Sequence, residues 1–437
     1  MSFGLISNII QKEGDQTPET LLLCFLRIKV LKVIIDKDLC KDCKFCEVAI
    51  ACPGQDECTA CGSCVITCLF SARKLVKDKK ELLIVKCTIN GQQMQVPSHQ
   101  TVLQVLESLG FQITSYPTRD AIFAPCRTGG CYSCAILING ELKPSCITPV
   151  SENMSINTQV EDQAPKRVVS GFQGHHVGGV GTPKDLIVQS PLGYLEVACF
   201  ASGCLYRCPT CQNWQITYLS NIQPLSPDEA AYRLTAERKQ YQVDRMAISG
   251  GESTLNRKWL IQFIEQLKKL NSDKDARIHI DTNAAILTPD YIDELIEVGM
   301  TDIGPDLKGI QLNTFIKITN QKSKNLAKKY LKTSWNAVKY ILDKYSGKVF
   351  IGVGIPFNRT FMSLEEVFEI GSKLTSWDPR IQVTVLDYRP EFRVQAIDRP
   401  SYKEMLLVKN TLEESGLKKI KLKVTRFNES IRIIIKD

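Results

Sequence analysis

The chain has no uninterrupted apolar run of membrane-spanning length. Its longest greasy stretch, LLLCFLRIKVLKVII over residues 21–35, is broken by Arg27, Lys29 and Lys32, which excludes a membrane span there because each charge would sit in hydrocarbon. It also lacks a basic start followed by an apolar run and a small-residue cleavage site, so no secretory signal is read and the cytoplasm is the expected compartment. Excess charge is modest. Lys and Arg number 55 against 47 Asp and Glu, a formal +8; metal-bound thiolates would draw this toward zero, and no nucleic-acid partner is expected. One further absence is local: GCLYRCPTCQNW, residues 203–214, holds Cys204, Cys208 and Cys211 but no fourth cysteine.

Cysteine itself is plentiful, at 18 in 437 residues. Most lie two to five residues apart, a spacing that suits metal better than disulfides in a cytoplasmic chain, and iron-sulfur clusters are the leading explanation. The 43% hydrophobic and 23% charged composition is that of an ordinary soluble protein. Its length predicts two to four domains, and the cysteines fall into three clumps that mark separate modules.

The first clump, CKDCKFCEVAIACPGQDECTACGSCVITC, supplies Cys40, Cys43, Cys46 and Cys52, then Cys58, Cys61, Cys64 and Cys68. Two runs of Cys-x2-Cys-x2-Cys, each followed by one more cysteine, are the ligand count of two [4Fe-4S] clusters, and Pro53 follows Cys52. An eight-thiolate zinc ribbon is the alternative, although zinc sites rarely use three cysteines at successive x2 gaps. The segment resembles a dicluster ferredoxin. That resemblance implies crossed ligation, Cys52 joining Cys58, Cys61 and Cys64 while Cys68 joins Cys40, Cys43 and Cys46. The chain departs from the family in its x5 gap before Cys52 and in the five residues between Cys52 and Cys58.

The second clump, CRTGGCYSCAILINGELKPSC, gives Cys126, Cys131, Cys134 and Cys146 at x4, x2 and x11. Ahead of it, ELLIVKCTINGQQMQVPSHQTVLQVLESLG reads as strand, Asn90-Gly91 turn, strand and amphipathic helix, with apolar Val102, Leu103, Val105, Leu106 and Leu109. This is a β-grasp pattern. With its cysteine loop it resembles plant-type [2Fe-2S] domains, and the x11 gap is similar to the iron-sulfur subunit of succinate dehydrogenase. Gly129 and Gly130 would let the loop's backbone approach the sulfurs.

Residues 150–185 are polar or Gly-rich and read as a linker or long loop. His175 and His176 lie there with no ligand nearby, and a solvated or hydrogen-bonded pair is expected. The run GGVG would cradle a phosphate only if it led from a strand into a helix. From 194 onward six apolar runs, YLEVACF, RMAISG, ARIHID, MTDIGPD, VFIGVGIP and IQVTVLD, alternate with helix-like stretches. The expected class is α/β, a partial (β/α)6 barrel with its working residues at the carboxyl ends of the strands. The expected organisation is an N-terminal segment (1–35), a dicluster module (36–80), a β-grasp (81–158), a linker (159–193), and the barrel with a C-terminal extension (194–437). The last 50 residues, with helix-like YKEMLLVKNTLEESG and strand-like KIKLKV and IRIIIK, match no motif and are expected to pack on the barrel.

Three thiolates on the loop after the first strand leave one iron of a cubane open, as a catalytic metal keeps a position for substrate. The missing cysteine is the site. Cys-x3-Cys-x2-Cys at that place resembles the radical S-adenosylmethionine (SAM) superfamily. The resemblance implies that Gly250 and Gly251 allow close backbone approach, that Glu252 contacts the methionyl ammonium, and that Asp281, Thr282, Asp306 and Lys308 surround cofactor and substrate. DTNA and DLK resemble the Asp-Thr-Asn and Asp-Leu-Lys motifs of the pyruvate formate-lyase activating enzyme; CQNW, with Gln212, Asn213 and Trp214, is similar to the AmmeMemoRadiSam branch. Ser253 and Ala284 depart from the residues usual at those positions. Pro356, Asp387 and Arg389 close the fifth and sixth strands.

The activity implied by the resemblance is reductive cleavage of S-adenosylmethionine to methionine and a 5′-deoxyadenosyl radical that takes hydrogen from a substrate. The expected cofactors are three [4Fe-4S] clusters, one [2Fe-2S] cluster and S-adenosylmethionine, the N-terminal clusters relaying electrons from a ferredoxin- or flavodoxin-like donor. The substrate stays open between a partner enzyme's backbone glycine, as for an activase, and a peptide, RNA or small molecule. A third possibility is an electron-transfer subunit with a non-catalytic barrel. Cys24, Cys87 and Cys199 lie on apolar stretches and are expected to be small buried hydrophobes.

Overall fold

The computed structural model describes residues 30–52, 54, 57–79, 83–160, 162–186, 191–425 and 431–434. Most of the expected N-terminal segment, with Cys24, lies outside them, as does Pro53. The chain divides into two compact units, Met1–Gln163 and Ala164–Asp437.

The first unit opens with β1 (Leu31–Ile35), paired antiparallel with β2 (Arg73–Lys77) so that Val33 faces Leu75. The expected boundary at 35/36 therefore cuts a strand away from its module. Between the two strands each cysteine run turns through a left-handed residue, Lys44 at φ 57° and Gly62 at φ 82°, into a short helix, α1 (Phe45–Val48) and α2 (Ser63–Thr67). Cys46 and Cys64 are thereby turned inward, and with Ile50 they form a small core against Val33 and Val65.

Next come β3 (Ile84–Ile89), the Asn90-Gly91 turn, β4 (Gln92–Pro97) and α3 (Val102–Ser108), as the pattern predicts. Thr101 and Gln104 form a reciprocal capping box that starts α3. After the two-residue pair β5 (Ile113–Thr114) and β6 (Ile122–Phe123) come β7 (Ala135–Ile138), β8 (Glu141–Pro144) and β9 (Met154–Asn157), completing a sheet of order β4-β3-β9-β7-β8. Val102, Val105 and Leu106 of α3 lie on Cys87, Ile89, Val96, Ile138 and Ile156. This is the expected β-grasp.

The second unit is a nine-stranded sheet in sequential order: β10 (Val169–His175), β11 (Glu196–Ala201), β12 (Arg245–Gly250), β13 (Arg277–Thr282), β14 (Asp302–Pro305), β15 (Phe350–Phe357), β16 (Gln382–Asp387), β17 (Lys419–Thr425) and β18 (Ile431–Ile434). The six expected strands, β11 to β16, are parallel neighbours. A seventh, β17, continues the parallel run from the unassigned C-terminal residues, and β10 and β18 pair antiparallel at the two edges. Six units become seven because the helix-like and strand-like C-terminal stretches, the helix started by a Ser401–Glu404 capping box, add one more β/α unit to the sheet.

The connecting helices are α4 (Trp214–Thr217), α5 (Pro227–Tyr241), α6 (Arg257–Leu270), α7 (Pro289–Glu297), α8 (Leu312–Thr319), α9 (Lys324–Tyr345), α10 (Leu364–Thr375) and α11 (Tyr402–Glu414). One apolar layer joins strands and helices: Val197, Ile248, Ile280, Ile303, Val353 and Val383 meet Leu234, Phe263, Leu295, Val338, Ile370 and Val408.

From Ala164 on, the expected linker is part of this unit. Val169–His175 forms β10, and GGVG leads into no helix but crosses the barrel interior. Val180 N–H donates to Asp281 (3.1 Å), Lys184 N–H to Gln382 Oε1 (2.5 Å), and Gln382 Nε2 donates to Thr182 O (2.8 Å). Glycine is required there by space. A Cβ on Gly179 would stand 2.1 Å from Asp281 Oδ2, and one on Gly181 would stand 2.5 Å from the Ile303 carbonyl carbon. The paired histidines take the bland role, His176 Nδ1 lying 2.8 Å from Gly193 O and its ring stacked on Tyr194.

Gly181→Ala is therefore expected to lower the unfolding free energy of the second unit by about 2 kcal/mol or more, since rigid backbone must move to admit one methyl. Urea unfolding followed by circular dichroism reads this, and an unchanged midpoint would contradict the threaded segment.

Candidate active site

Cys204, Cys208 and Cys211 stand on the loop that leaves β11, and the loop is fastened on every side. Gly203 N–H donates to Thr217 O (2.8 Å), Arg207 N–H to Thr319 O (3.0 Å), and the backbone amides of Arg393 and Val394 to Pro209 O (3.0 and 3.2 Å). CQNW holds it from within. Gln212 donates to Asp387 O, Asn213 to Gly250 O, and Trp214 to Glu391 while stacking on Phe392. The three thiols open on a cavity of about 300 Å³ at the carboxyl ends of the strands.

The strand ends arrive in the expected order. Gly250, Gly251, Asp281, Thr282, Asp306, Lys308, Pro356, Asp387 and Arg389 all line the cavity. The two glycines are also required by the cysteine loop: a Cβ on Gly250 would meet Ala201 O at 2.5 Å, and one on Gly251 would meet Gly203 O at 2.3 Å. Gly251 N–H donates to Ala201 O (2.9 Å) and Glu252 N–H to Gly203 O (2.8 Å), so the second strand's end is laced to the cysteine loop.

Glu252 departs from its expected place. Its side chain is 1% exposed and turned behind the cavity wall, where one oxygen accepts from Thr254 N–H (3.0 Å), Thr254 Oγ1 (2.6 Å) and Thr282 Oγ1 (2.5 Å) and the other from Asn283 N–H (2.7 Å). Four donors consume the carboxylate, so it clasps the ends of β12 and β13 instead of facing a ligand. Asp281 is likewise engaged, with Val180 N–H and His279 Nε2 both 3.1 Å from Oδ1. Asp306 and Lys308 pair with each other across the cavity wall.

Burial pushes the Cys204 thiol far up, reinforced by Cys208, and lifts Cys208 to about 12 against the opposing pull of Lys308; Cys211 is raised too, with Thr217 working the other way. Burial opposes the Lys308 ammonium as well, but Asp306 and Cys208 together hold it above its ordinary range. Such thiols ionise only beside added positive charge, which iron supplies. The cavity wall also holds polar atoms that are buried and make no hydrogen bond: Tyr206 OH, Asp306 Oδ1 and Tyr388 OH. The donor set fits a cluster and a small zwitterion.

In the first unit, Cys126, Cys131, Cys134 and Cys146 are all buried and close together, with Cys131 Sγ 3.1 Å from Cys126 Sγ. Donation from Cys131 to Cys126 pulls the latter far down, while burial forces Cys131 up. Arg127, Gly129 and Tyr132 take positive φ, which winds the loop around the sulfurs and leaves Thr128 N–H 3.4 Å from Cys126 Sγ. A cavity of about 980 Å³ opens beside Cys46, Cys52, Cys58 and Cys64. Burial raises Cys46 and Cys64, and Arg73 opposes the rise at both. Cys87 and Cys199 are buried as expected.

Sequence reasoning missed Arg167. Wholly buried, it donates to Ser202 O (3.1 Å), Glu252 O (2.5 Å) and Ser253 O, joining the chain before the cysteines to the chain after the glycines. It lies in the stretch that reads as a linker, where no periodicity marks it. Lys423 was missed too; it lines the cavity from the unassigned seventh parallel strand.

Residues 199–404 match the family described as the radical SAM superfamily, and residues 84–161 match the 2Fe-2S iron-sulfur cluster binding domain. A curated protein of Methanocaldococcus jannaschii named "Putative glycyl-radical enzyme activating enzyme" is 24% identical over 192 residues, 43% of this chain and 66% of that protein. Streptococcus suis SuiB bound to S-adenosylmethionine matches at 15% identity over 52% of this chain and 47% of its own, with a TM-score of 0.37. The FeFe-hydrogenase maturase HydG from Carboxydothermus hydrogenoformans matches at 16% identity over 54% of this chain and 60% of its own, with a TM-score of 0.36. The chain thus spans just under two thirds of the curated relative and about half of SuiB.

Below the cavity the barrel interior is ionic. Arg245 bonds Asp302 (2.8 Å) and Glu196 (3.3 Å), and His279 lies between Asp281 (3.1 Å) and Glu196 (3.6 Å). Burial alone would lower His279, but Asp281 and then Glu196 outweigh it and hold the imidazolium up to about 9. A raised pKa stabilises the fold fully below the ordinary 6.5 and less as pH climbs through 9. Lys421, held down to about 8 by burial, acts in the opposite sense above that value, so the loss is cleanest between 6.5 and 8. Over this interval the second unit is expected to lose about 2 kcal/mol, measured by urea unfolding at stepped pH. His279→Asn should flatten the profile there, and an equally steep variant would refute the assignment.

Proposed function

Because residues 199–404 belong to the radical SAM superfamily and residues 84–161 form a 2Fe-2S cluster binding domain, we propose that this chain abstracts hydrogen from a protein substrate in the manner of a glycyl-radical-enzyme activase. The cluster and S-adenosylmethionine, when bound, would supply one-electron reductive cleavage of the sulfonium and, with it, the means to take a hydrogen atom from the substrate. Cys204, Cys208 and Cys211 would hold a [4Fe-4S] cluster by three irons. That loop, opening on a cavity whose wall carries unpartnered Tyr206, Asp306 and Tyr388 oxygens, is the observation that supports the reading most.

The remaining roles belong to this chain's own groups. The backbone of Gly250 and Gly251 forms the ledge for the methionyl group, with Thr282, Asp281, Asp306 and Lys308 around it. Glu252 acts as a positioning residue, because its carboxylate is spent on Thr254, Thr282 and Asn283. Lys308, kept cationic by Asp306, faces the thiolate side and offsets its charge. An activase is favoured among radical SAM reactions by the Asp306 and Lys308 motif and by the name of the archaeal relative.

The N-terminal cysteines fit an electron relay: two [4Fe-4S] clusters on Cys40, Cys43, Cys46, Cys52, Cys58, Cys61, Cys64 and Cys68, and one [2Fe-2S] cluster on Cys126, Cys131, Cys134 and Cys146. The donor would be a small low-potential carrier of ferredoxin or flavodoxin type. No helix among the described residues is long and apolar enough to cross a membrane.

Anaerobic, cluster-loaded protein reduced with dithionite is expected to release 5′-deoxyadenosine from S-adenosylmethionine, and Cys204→Ala to fall to background by chromatography of the products. Release unaffected by that change would sink the active-site assignment. Cys126→Ala should keep dithionite-driven release yet lose release driven by a ferredoxin or flavodoxin; equal loss of both, or of neither, would exclude a relay through that cluster.

A further inference from the structure

Between Asp306 and Asp343 the chain runs 36 residues without an aspartate or glutamate, and the same residues contain eight lysines and no arginine. The segment is α8 and most of α9, the helices that support the cysteine loop from outside. Phe315 and Tyr330 close edge-on against Tyr206, whose ring lines the cavity, and Thr319 O receives Arg207 N–H. Whatever docks on these helices is therefore beside the site.

Lys317, Lys322, Lys324, Lys328 and Lys332 are all exposed, and none forms an ion pair among the described residues. The carboxylates that do meet α9, Asp293 and Asp343, engage its C-terminal half through Tyr340, Lys344, Tyr345 and Lys339. Helix polarity does not favour cations in the N-terminal half. Acids in a first turn are stabilising and cations there are not; α5, α7, α10 and α11 each place Asp or Glu in that turn, whereas α6 and α8 do not. The first turn of α9 has no acid and begins with Lys324. Five exposed cations thus lie along α8, α9 and the turn between them, Lys324 against the helix dipole, with no ion-pair partner among the described residues.

The geometry points to a docking face for the acidic surface of a folded protein partner, which would place that partner's reacting segment at the cavity mouth. This deepens the proposed activase reading and rests on it. Lys324, Lys328 and Lys332 recur every fourth residue, about 6 Å apart along the helix, which matches carboxylates spaced by one turn on an opposing helix. The chemistry disfavours nucleic acid. Arginine forks and exposed aromatic platforms are the usual means of gripping phosphates and bases, and here the segment has no arginine, while Phe315, Tyr330 and Trp335 are buried.

The test is the full-length, cluster-loaded protein carrying Lys322→Glu, Lys324→Glu, Lys328→Glu and Lys332→Glu together, compared with the unaltered chain for binding of labelled poly-L-glutamate and of a short duplex RNA at about 150 mM salt. Expected is poly-L-glutamate binding that weakens about tenfold or more in the variant, with partner-free release of 5′-deoxyadenosine unchanged. The substitutions suit the helix dipole, so the fold should survive. Poly-L-glutamate binding equal in both proteins would overturn the docking face; duplex RNA bound more tightly than poly-L-glutamate, and lost in the variant, would overturn the partner class. Failure of the unaltered protein to release 5′-deoxyadenosine would count against the radical reading alone, because the binding comparison does not depend on it.

Discussion

The second unit depends on a backbone contact between two adjacent strand ends. Gly251 and Glu252 donate their amides to Ala201 and Gly203, and the approach is so close that neither Gly250 nor Gly251 could carry a Cβ. This lacing decides where the cysteine loop starts. Arg167 locks it from beneath by gathering the carbonyls of Ser202, Glu252 and Ser253 onto one guanidinium, and Glu252 carries the linkage on to Thr282 and Asn283. Three strand ends are thereby held in one rigid arrangement before any ligand is considered, which is the preorganisation a reactive site needs.

The second constraint is electrostatic. A parallel barrel ordinarily fills its interior with apolar side chains, whereas this one threads a glycine-rich segment through it and surrounds that segment with Glu196, Arg245, His279, Asp281, Asp302 and Lys421. Burying so many charges is tolerable because Glu196, Arg245, His279, Asp281 and Asp302 find opposite neighbours at short range, while burial holds Lys421 down to about 8. The thiols above them obey the same logic in reverse. Cys204, Cys208 and Cys211 are half-buried with raised pKa, and a bound iron cluster would supply the positive charge that favours their thiolates.

Much of this is legible along the chain. The six parallel strands, the β-grasp and the residues lining the cavity emerge from local periodicity and from motifs whose spacing is set by the group they would hold. The departures have identifiable causes. The stretch around Val169–Thr182 reads as a linker because glycine-rich sequence looks the same whether it is solvated or threaded between strands. The strand at Lys419–Thr425 is legible as a strand from its alternation of lysine with Ile420, Leu422 and Val424, but its place in the sheet is not, because the lysines read as a solvated face and only Glu196 and Asp281 make that face a buried one. Glu252 reads as facing a ligand because a carboxylate after two glycines has nothing in the sequence to consume it.

Sequence alone determined the chemistry available: the grouping of cysteines, the count of three where a cubane takes four, and the alternation that makes a β/α sheet. These are short-range properties, carried by residues within a few positions of one another. Only the tertiary structure decided which polar groups face the cavity and which are spent on holding it together, because Arg167, Glu252 and Thr282 are distant in sequence and acquire their roles through hydrogen bonds between strand ends. The seventh parallel strand and the interior segment belong to the same class. Their burial depends on partners about 100 to 200 residues away, and no local pattern records a partner at that range.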